Sequence, residues 1–192
     1  MPFYLENVLG HNIQLVGLLM AIIPIMVGIF SPISGTLSDR FGTRSISAVG
    51  LAFMFIGFIS VSTLTTQTSI GGYLLRFIPV GIGIGVFQSP NNSAIMGTAS
   101  RSNLGIMSGI TSISRTLGQT IGTAVIGAIW ASRTFFHAGQ SFPGGATQAP
   151  ALAQVTGQQN TFQIVAVIIM VALLLGVLGL LRERKHKQTL TR

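Results

Sequence analysis

The strongest constraint on this chain is where its charges are missing. No Asp, Glu, Lys or Arg occurs at residues 7–38, 45–75, 77–100 or 134–181. A helix needs roughly 20 mostly apolar residues to cross a bilayer, and each of these gaps is long enough to hold one. Composition agrees. Of 192 residues, 48% are hydrophobic and 7% charged, whereas soluble domains carry about 25% charged residues. The mean hydropathy is +0.68. So few charges cannot cover the surface of a water-soluble domain, and the sequence reads as an all-α integral membrane protein.

Five apolar stretches are expected to span the bilayer: residues 13–35, 45–64, 70–88, 104–130 and 162–181. Helix is the required conformation, because an isolated segment in lipid must satisfy its own backbone hydrogen bonds. A transmembrane β-barrel would alternate apolar and polar positions. The run Ile164-Val165-Ala166-Val167-Ile168-Ile169-Met170 does not. The chain divides into an external stub (1–12), a block of three spans (13–88) holding an inner turn at 35–44, and an inner loop (89–103). A fourth span (104–130), an external low-complexity loop (131–161), a fifth span (162–181) and a basic tail (182–192) follow. Ser89-Pro90-Asn91-Asn92 favours turns and helix caps. Loop 131–161, rich in Gln, Ala, Gly and Pro, is expected to be partly disordered, with a short helical piece near Ala149 to Gln158.

Basic residues set the orientation. With the N-terminus outside, the inner segments hold Arg40, Arg44, Arg101, Arg182, Arg184, Lys185, Lys187 and Arg192, and the outer ones hold Arg133. The expectation is therefore N-terminus outside and C-terminus cytoplasmic, in the cell (inner) membrane. Met1-Pro2-Phe3-Tyr4-Leu5-Glu6 is no signal peptide. An external N-terminus without a leader leads us to expect a missing upstream helix and an incomplete chain.

Several chemistries are excluded. Zero cysteines remove disulfides, thiolate catalysis and Cys-based metal sites. His11, His137 and His186 lie too far apart along this topology to form a metal set, and no Ser-His-Asp combination can assemble, so the chain does not read as an enzyme. The net charge of +8 is too sparse for a nucleic-acid surface. Gly81-Ile82-Gly83-Ile84-Gly85 lacks the spacing and preceding strand of a nucleotide loop. With Gly105/Gly109 and Gly118/Gly122, the pair Gly81/Gly85 reads as small-residue helix packing.

Arg115 stands out. It falls about eleven residues beyond Leu104, roughly 16 Å along a helix. An arginine near mid-bilayer costs about 2.5–3.5 kcal/mol on insertion scales and so must face protein or water. Ser108, Ser112, Arg115, Gln119 and Gly122 recur at helical steps as one polar stripe. Two readings stay open: a cavity-lining cation that meets substrate or a carboxylate, or an arginine satisfied by backbone carbonyls between helices. Ser112, Arg115 and Gln119, with the amides Gln88, Asn91 and Asn92, are the candidate cavity-lining residues.

The inner turn holds the sharpest motif, Gly35-x-Leu37-Ser38-Asp39-Arg40-Phe41-Gly42-x-Arg44. Gly35 permits close approach of the two helices the turn joins. Asp39, just before the next helix, can accept free backbone N–H groups there. Arg40 and Arg44 can pair with that carboxylate. This run resembles the signature of the major facilitator superfamily, found between the second and third helices of each six-helix half. Pro2-Phe3-Tyr4-Leu5-x-x-Val8-Leu9-Gly10, Phe87-Gln88-Ser89-Pro90-Asn91-Asn92-Ser93-Ala94-Ile95-Met96 and Arg115-Thr116-Leu117-Gly118-Gln119 resemble the branch of fourteen-span drug:proton antiporters. Thr43 departs from the signature, which commonly has a second basic residue there.

The resemblance implies five transmembrane helices forming an incomplete C-terminal six-helix bundle of the major facilitator fold. Gly35, Asp39, Arg40, Gly42 and Arg44 would form its signature-turn gate. It further implies export of small organic compounds, a proton as coupling ion, no cofactor or metal, and a missing N-terminal half as partner. None of the five stretches contains Asp or Glu. Proton coupling needs a titratable group within the membrane, so that group is expected in the missing part and the chain alone is expected to be inactive. The alternatives are a self-standing, non-transporting membrane protein and a fragment of a major facilitator transporter for sugars or metabolites.

Overall fold

The computed structural model describes residues 1–190, with Arg101 and residues 183–190 described by backbone alone. Six α-helices make five rods: α1 (Ile13–Met20) with α2 (Ile22–Phe41), then α3 (Thr43–Val61), α4 (Ile70–Met96), α5 (Leu104–Ala138) and α6 (Ala151–Leu190). The described residues contain no strand. The rods run alternately up and down, which defines a Thr65 end and a Gly42 end. A π-helical turn at Tyr4–Val8 packs at the Thr65 end.

α1 and α2 are one rod with a single irregular residue, Ala21. Its cause is Pro24, whose ring crowds the carbonyl four residues back, at Met20, and which has no N–H to offer it. Ala21 keeps helical dihedrals and bonds to the carbonyls of Gly17 and Leu18 at 3.1 and 3.2 Å. Four helices are long and apolar enough to cross a membrane: Ile13–Phe41, Thr43–Val61, Ile70–Met96 and Ala151–Arg182. α5, the fifth expected span, has the length but is diluted by the Ser, Thr, Gln and Arg of its polar stripe.

The helices overrun several expected boundaries. Ser89-Pro90-Asn91-Asn92 is not a turn, because α4 continues through Pro90 to Met96. The loop expected at 131–161 shrinks to residues 139–150. α5 runs to Ala138 and is stopped by Gly139, whose φ of +71° suits glycine at a helix C-terminus. The helical piece expected near Ala149 is the start of α6, which begins directly after Pro150. Helix extends beyond the apolar core in each case because packing on neighbouring rods outweighs the turn preference of short polar runs. The basic tail enters α6 as backbone through Leu190. The side chains of Arg184, Lys185 and Lys187, and the whole of Arg192, lie outside the described residues.

α4 is wedged between α2 and α3, and glycines make the wedge possible. A Cβ on Gly81 would lie 2.7 Å from Met26 Cβ, and one on Gly85 would lie 3.1 Å from Val27 Cα, both on α2. Two residues on from Gly81, and so on another face, a Cβ on Gly83 would meet the Met54 backbone nitrogen at 2.5 Å and the Gly50 carbonyl oxygen at 2.8 Å on α3. Gly50 and Gly57 answer from α3, beneath Phe87 and Val80. Small residues that let backbones approach are the main packing device where lipid removes the hydrophobic drive between helices.

The buried apolar cluster sits at the Thr65 end, where Tyr4 and Leu5 meet Val16, Leu19, Val61, Leu64, Tyr73 and Phe77. Polar bonds tie that end. Tyr4 Oη donates to the Thr65 carbonyl at 2.6 Å, Gln159 Nε2 donates to the Leu64 carbonyl, and Arg76 Nε donates to Thr63 Oγ1 at 3.0 Å. Ile25, Ile29 and Ile33 on α2, and Val167, Ile168 and Leu175 on α6, are exposed. Such apolar faces in one chain mark a membrane-facing surface.

Candidate functional site

α4 and α5 face each other across a cleft of about 600 Å³. On α4 the positions Ile84, Gln88, Asn91, Asn92 and Ile95 follow helical spacing and share one face. On α5 the positions Thr111, Ser114, Arg115 and Gln119 do the same. Because α4 stays helical past Pro90, Asn91 and Asn92 reach this wall instead of lying in an inner loop. Arg115 Nη2 donates to Asn92 Oδ1 at 2.8 Å. Arg115 thus lines the cleft with an Asn side chain as its hydrogen-bond partner. Five of the six expected cavity residues (Gln88, Asn91, Asn92, Arg115 and Gln119) line this cleft. Ser112 does not. It is exposed outside the cleft, and its carbonyl accepts the Thr116 hydroxyl at 3.0 Å.

A second chamber of about 710 Å³ lies toward the Thr65 end, between the N-terminal stub, α5 and α6. Its walls include Phe3, Trp130, Phe162 and Gln158, and Gln119 borders both spaces. Gly118 and Gly122, read from sequence as packing positions, line this chamber, and a Cβ on either would meet nothing within 4 Å. Gly105 and Gly109 are equally open. The spacing was a packing spacing, but α5 turns that face to open space rather than to another helix of this chain. Phe3, Trp130 and Phe162 were missed in the sequence because they come from three distant segments and share no periodic pattern. The one available hint was that Trp130 is the sole tryptophan.

The signature turn is shorter than the sequence suggested. α2 continues through Asp39 and Arg40 to Phe41, and Gly42, at φ +86°, alone separates it from α3. Asp39 therefore lies in the last turn of α2 and not at the entrance of α3. Arg40 sits in the same turn, where a cation suits the negative end of the helix dipole. Gly35 serves a different neighbour from the one expected. A Cβ there would lie 3.1 Å from Ser89 Oγ on α4, so it brings α2 against α4. Ser34 reinforces that contact by donating to the Gly85 carbonyl at 3.2 Å. Asp39, Arg40, Gly42 and Arg44 are exposed. The turn and the cleft residues are thus separate sites.

At the other end, burial holds the Tyr4 phenol above the ordinary tyrosine value, only partly opposed by the Thr68 hydroxyl and the Arg76 charge. Tyr4 is accordingly a neutral donor to Thr65. Among the described residues no group of three or more His, Asp or Glu side chains is placed to hold a metal ion.

Comparison with known proteins puts this arrangement in context. The chain is 26% identical over 177 residues to the riboflavin transporter RibZ of Clostridioides difficile, covering 92% of this chain and 37% of that protein. It is 35% identical over 126 residues to the uncharacterized transporter YebQ of Escherichia coli, covering 66% of this chain and 28% of the relative. It is 28% identical over 141 residues to the tetracenomycin C resistance and export protein of Streptomyces glaucescens, covering 73% and 26%. The chain therefore spans well under half the length of these relatives. The profile of the Major Facilitator Superfamily matches residues 1–123, which hold the signature turn, the α2–α3–α4 wedge and Arg115. On that match, with its apolar rods and glycine wedge, this multi-pass membrane chain belongs to the major facilitator superfamily.

Proposed function

We propose that the chain is the C-terminal portion of a proton-coupled efflux transporter for small organic compounds, with its N-terminus outside and its C-terminus cytoplasmic. The observation that carries the reading is the open cleft in which Arg115, Asn92, Gln88, Asn91 and Gln119 converge. A charged and amide-lined surface within a membrane protein belongs against water or a ligand. Transport by two halves rocking about a site between them requires such a face on each half. The N-terminal half is the partner, and the short share of each relative that the chain spans supports this. α1 to α6 carry Asp39 and Glu183 at their Gly42 ends and no other acid, so the proton-loading group belongs to the partner half. The relative named for tetracenomycin C resistance and export supports the cargo class. The riboflavin transporter supports a second reading, in which the cargo is a metabolite.

The test is flux in vesicles. Vesicles bearing the 192-residue chain alone show no efflux of the uncharged probe phenylnaphthylamine driven by a pH gradient, and co-expression of the coding segment directly upstream restores it. Flux from the chain alone overturns the two-half reading. No flux with the upstream segment, or no such segment, overturns the transport reading.

A further inference from the structure

The cleft and the chamber adjoin at Gln119, and the charge that lines them narrows the cargo; the inference rests on the transport reading above. Among the described residues Arg115 is the sole charged side chain lining either space, the Met1 α-amino group joins it in the chamber, and no Asp or Glu lines them. A guanidinium has five N–H donors and a fixed positive charge, and Asn92 takes one of those donors at 2.8 Å. The flanking side chains Gln88, Asn91 and Gln119 are neutral amides. An aromatic cation entering here meets an unopposed like charge in a site screened less than bulk water. An oxyanion instead gains a charge-assisted hydrogen bond, roughly twice as strong as a neutral one.

The rest of the site describes the other end of the molecule. From Arg115 to Gly122 is about 10 Å along α5 at 1.5 Å per residue. Over that distance Gly118 and Gly122 leave the helix surface bare, with nothing within 4 Å of either missing Cβ. Phe3, Phe162 and Trp130 stand around this floor. A bare, flat floor with aromatic walls accepts the face of a fused ring system. We infer that the site selects flat aromatic amphipaths that carry an oxyanion at one end, with the rings over Gly118 and Gly122 and the anion at Arg115, and that it discriminates against aromatic cations.

Trp130 makes the test direct, since it is the only tryptophan and lies in the chamber wall. The full chain in zwitterionic lipid nanodiscs is titrated with anilinonaphthalene sulfonate, its uncharged counterpart phenylnaphthylamine, and ethidium, reading energy transfer from Trp130. The sulfonate binds saturably and at least tenfold more tightly than ethidium. Arg115→Gln weakens the sulfonate at least tenfold and leaves phenylnaphthylamine unchanged, and Arg115→Lys restores most of the loss. Equal binding of all three probes, tightest binding of ethidium, or an Arg115→Gln variant that holds the sulfonate as before overturns the anion selectivity while leaving the site itself standing. Absence of saturable transfer from every probe overturns both the inference and the cargo-site reading. Should Arg115→Gln lose its helical circular dichroism, the three-probe comparison on the unaltered chain still decides.

Discussion

Gly83→Ala is the sharpest test of how the bundle is held together. The added Cβ would stand 2.5 Å from the Met54 backbone nitrogen and 2.8 Å from the Gly50 carbonyl oxygen. Both are backbone atoms in a regular helix and cannot rotate aside, so α3 and α4 must separate by about an ångström along their shared seam. Overpacking of this kind costs typically 1–3 kcal/mol. Replacing glycine within a helix by alanine returns roughly 0.5–1 kcal/mol, so the net loss is about 0–2.5 kcal/mol, centred slightly above about 1 kcal/mol. For a chain of this size that central value lowers the melting midpoint by about 2–5 °C. The matched control is Gly118→Ala, which gains the same propensity and meets nothing within 4 Å. Thermal melts of the purified chain, followed by far-UV circular dichroism, should show Gly83→Ala falling and Gly118→Ala holding or rising. Gly50 supplies a further check. Its own missing Cβ faces the Phe87 backbone nitrogen at 2.6 Å, and one separation of α3 from α4 relieves both clashes. Gly50→Ala with Gly83→Ala should therefore cost less than the sum of the two. Equal melting of the Gly83 and Gly118 variants would refute the wedge.

Other outcomes follow from particular contacts. Tyr4→Phe removes the bond to the Thr65 carbonyl and should cost about 0.5–1.5 kcal/mol, seen as faster hydrogen exchange at residues 62–69. Because burial raises the folded Tyr4 phenol above the ordinary tyrosine value of 10.0, the folded chain keeps a proton that the unfolded chain loses. Stability should thus decline as pH rises past 10.0, and Tyr4→Phe should flatten part of that decline. Thr134 Oγ1 is fully buried without a hydrogen-bond partner, so Thr134→Val should be neutral or stabilising by up to about 1 kcal/mol in a thermal melt. With no native cysteine, Phe41→Cys and Ser141→Cys report topology. Both positions are exposed, and an impermeant maleimide on intact cells should label Ser141→Cys and spare Phe41→Cys.

The gaps between charged residues were enough to place four of the five rods, because the energetic penalty for charge in lipid leaves little freedom, and α5, which carries Arg115, was placed by the length of its stretch. Their ends were less legible. Ser89 to Asn92 reads locally as a turn, yet Gly35 and Ser34 hold α2 against the same stretch of α4 and keep it helical. Glycine spacing announced close approach but not its partner: Gly81 and Gly85 press on α2, whereas Gly118 and Gly122 face open space at identical spacing. The cleft was partly legible through Arg115 and its stripe, since one helix carries that pattern. The chamber was not, because Phe3, Trp130 and Phe162 meet only once the chain has folded.

The two poles of the bundle differ in how they are fastened. At one pole the amino-terminal turn, residues 62–65 and α6 are cross-stitched by Tyr4, Arg76 and Gln159. At the opposite pole α2 and α3 are joined by Gly42 alone. The linkage is therefore lopsided: the stitched pole fixes several segments through side chains, whereas at the other a single glycine tethers the ends of two rods and leaves the angle between them to the packing of their walls.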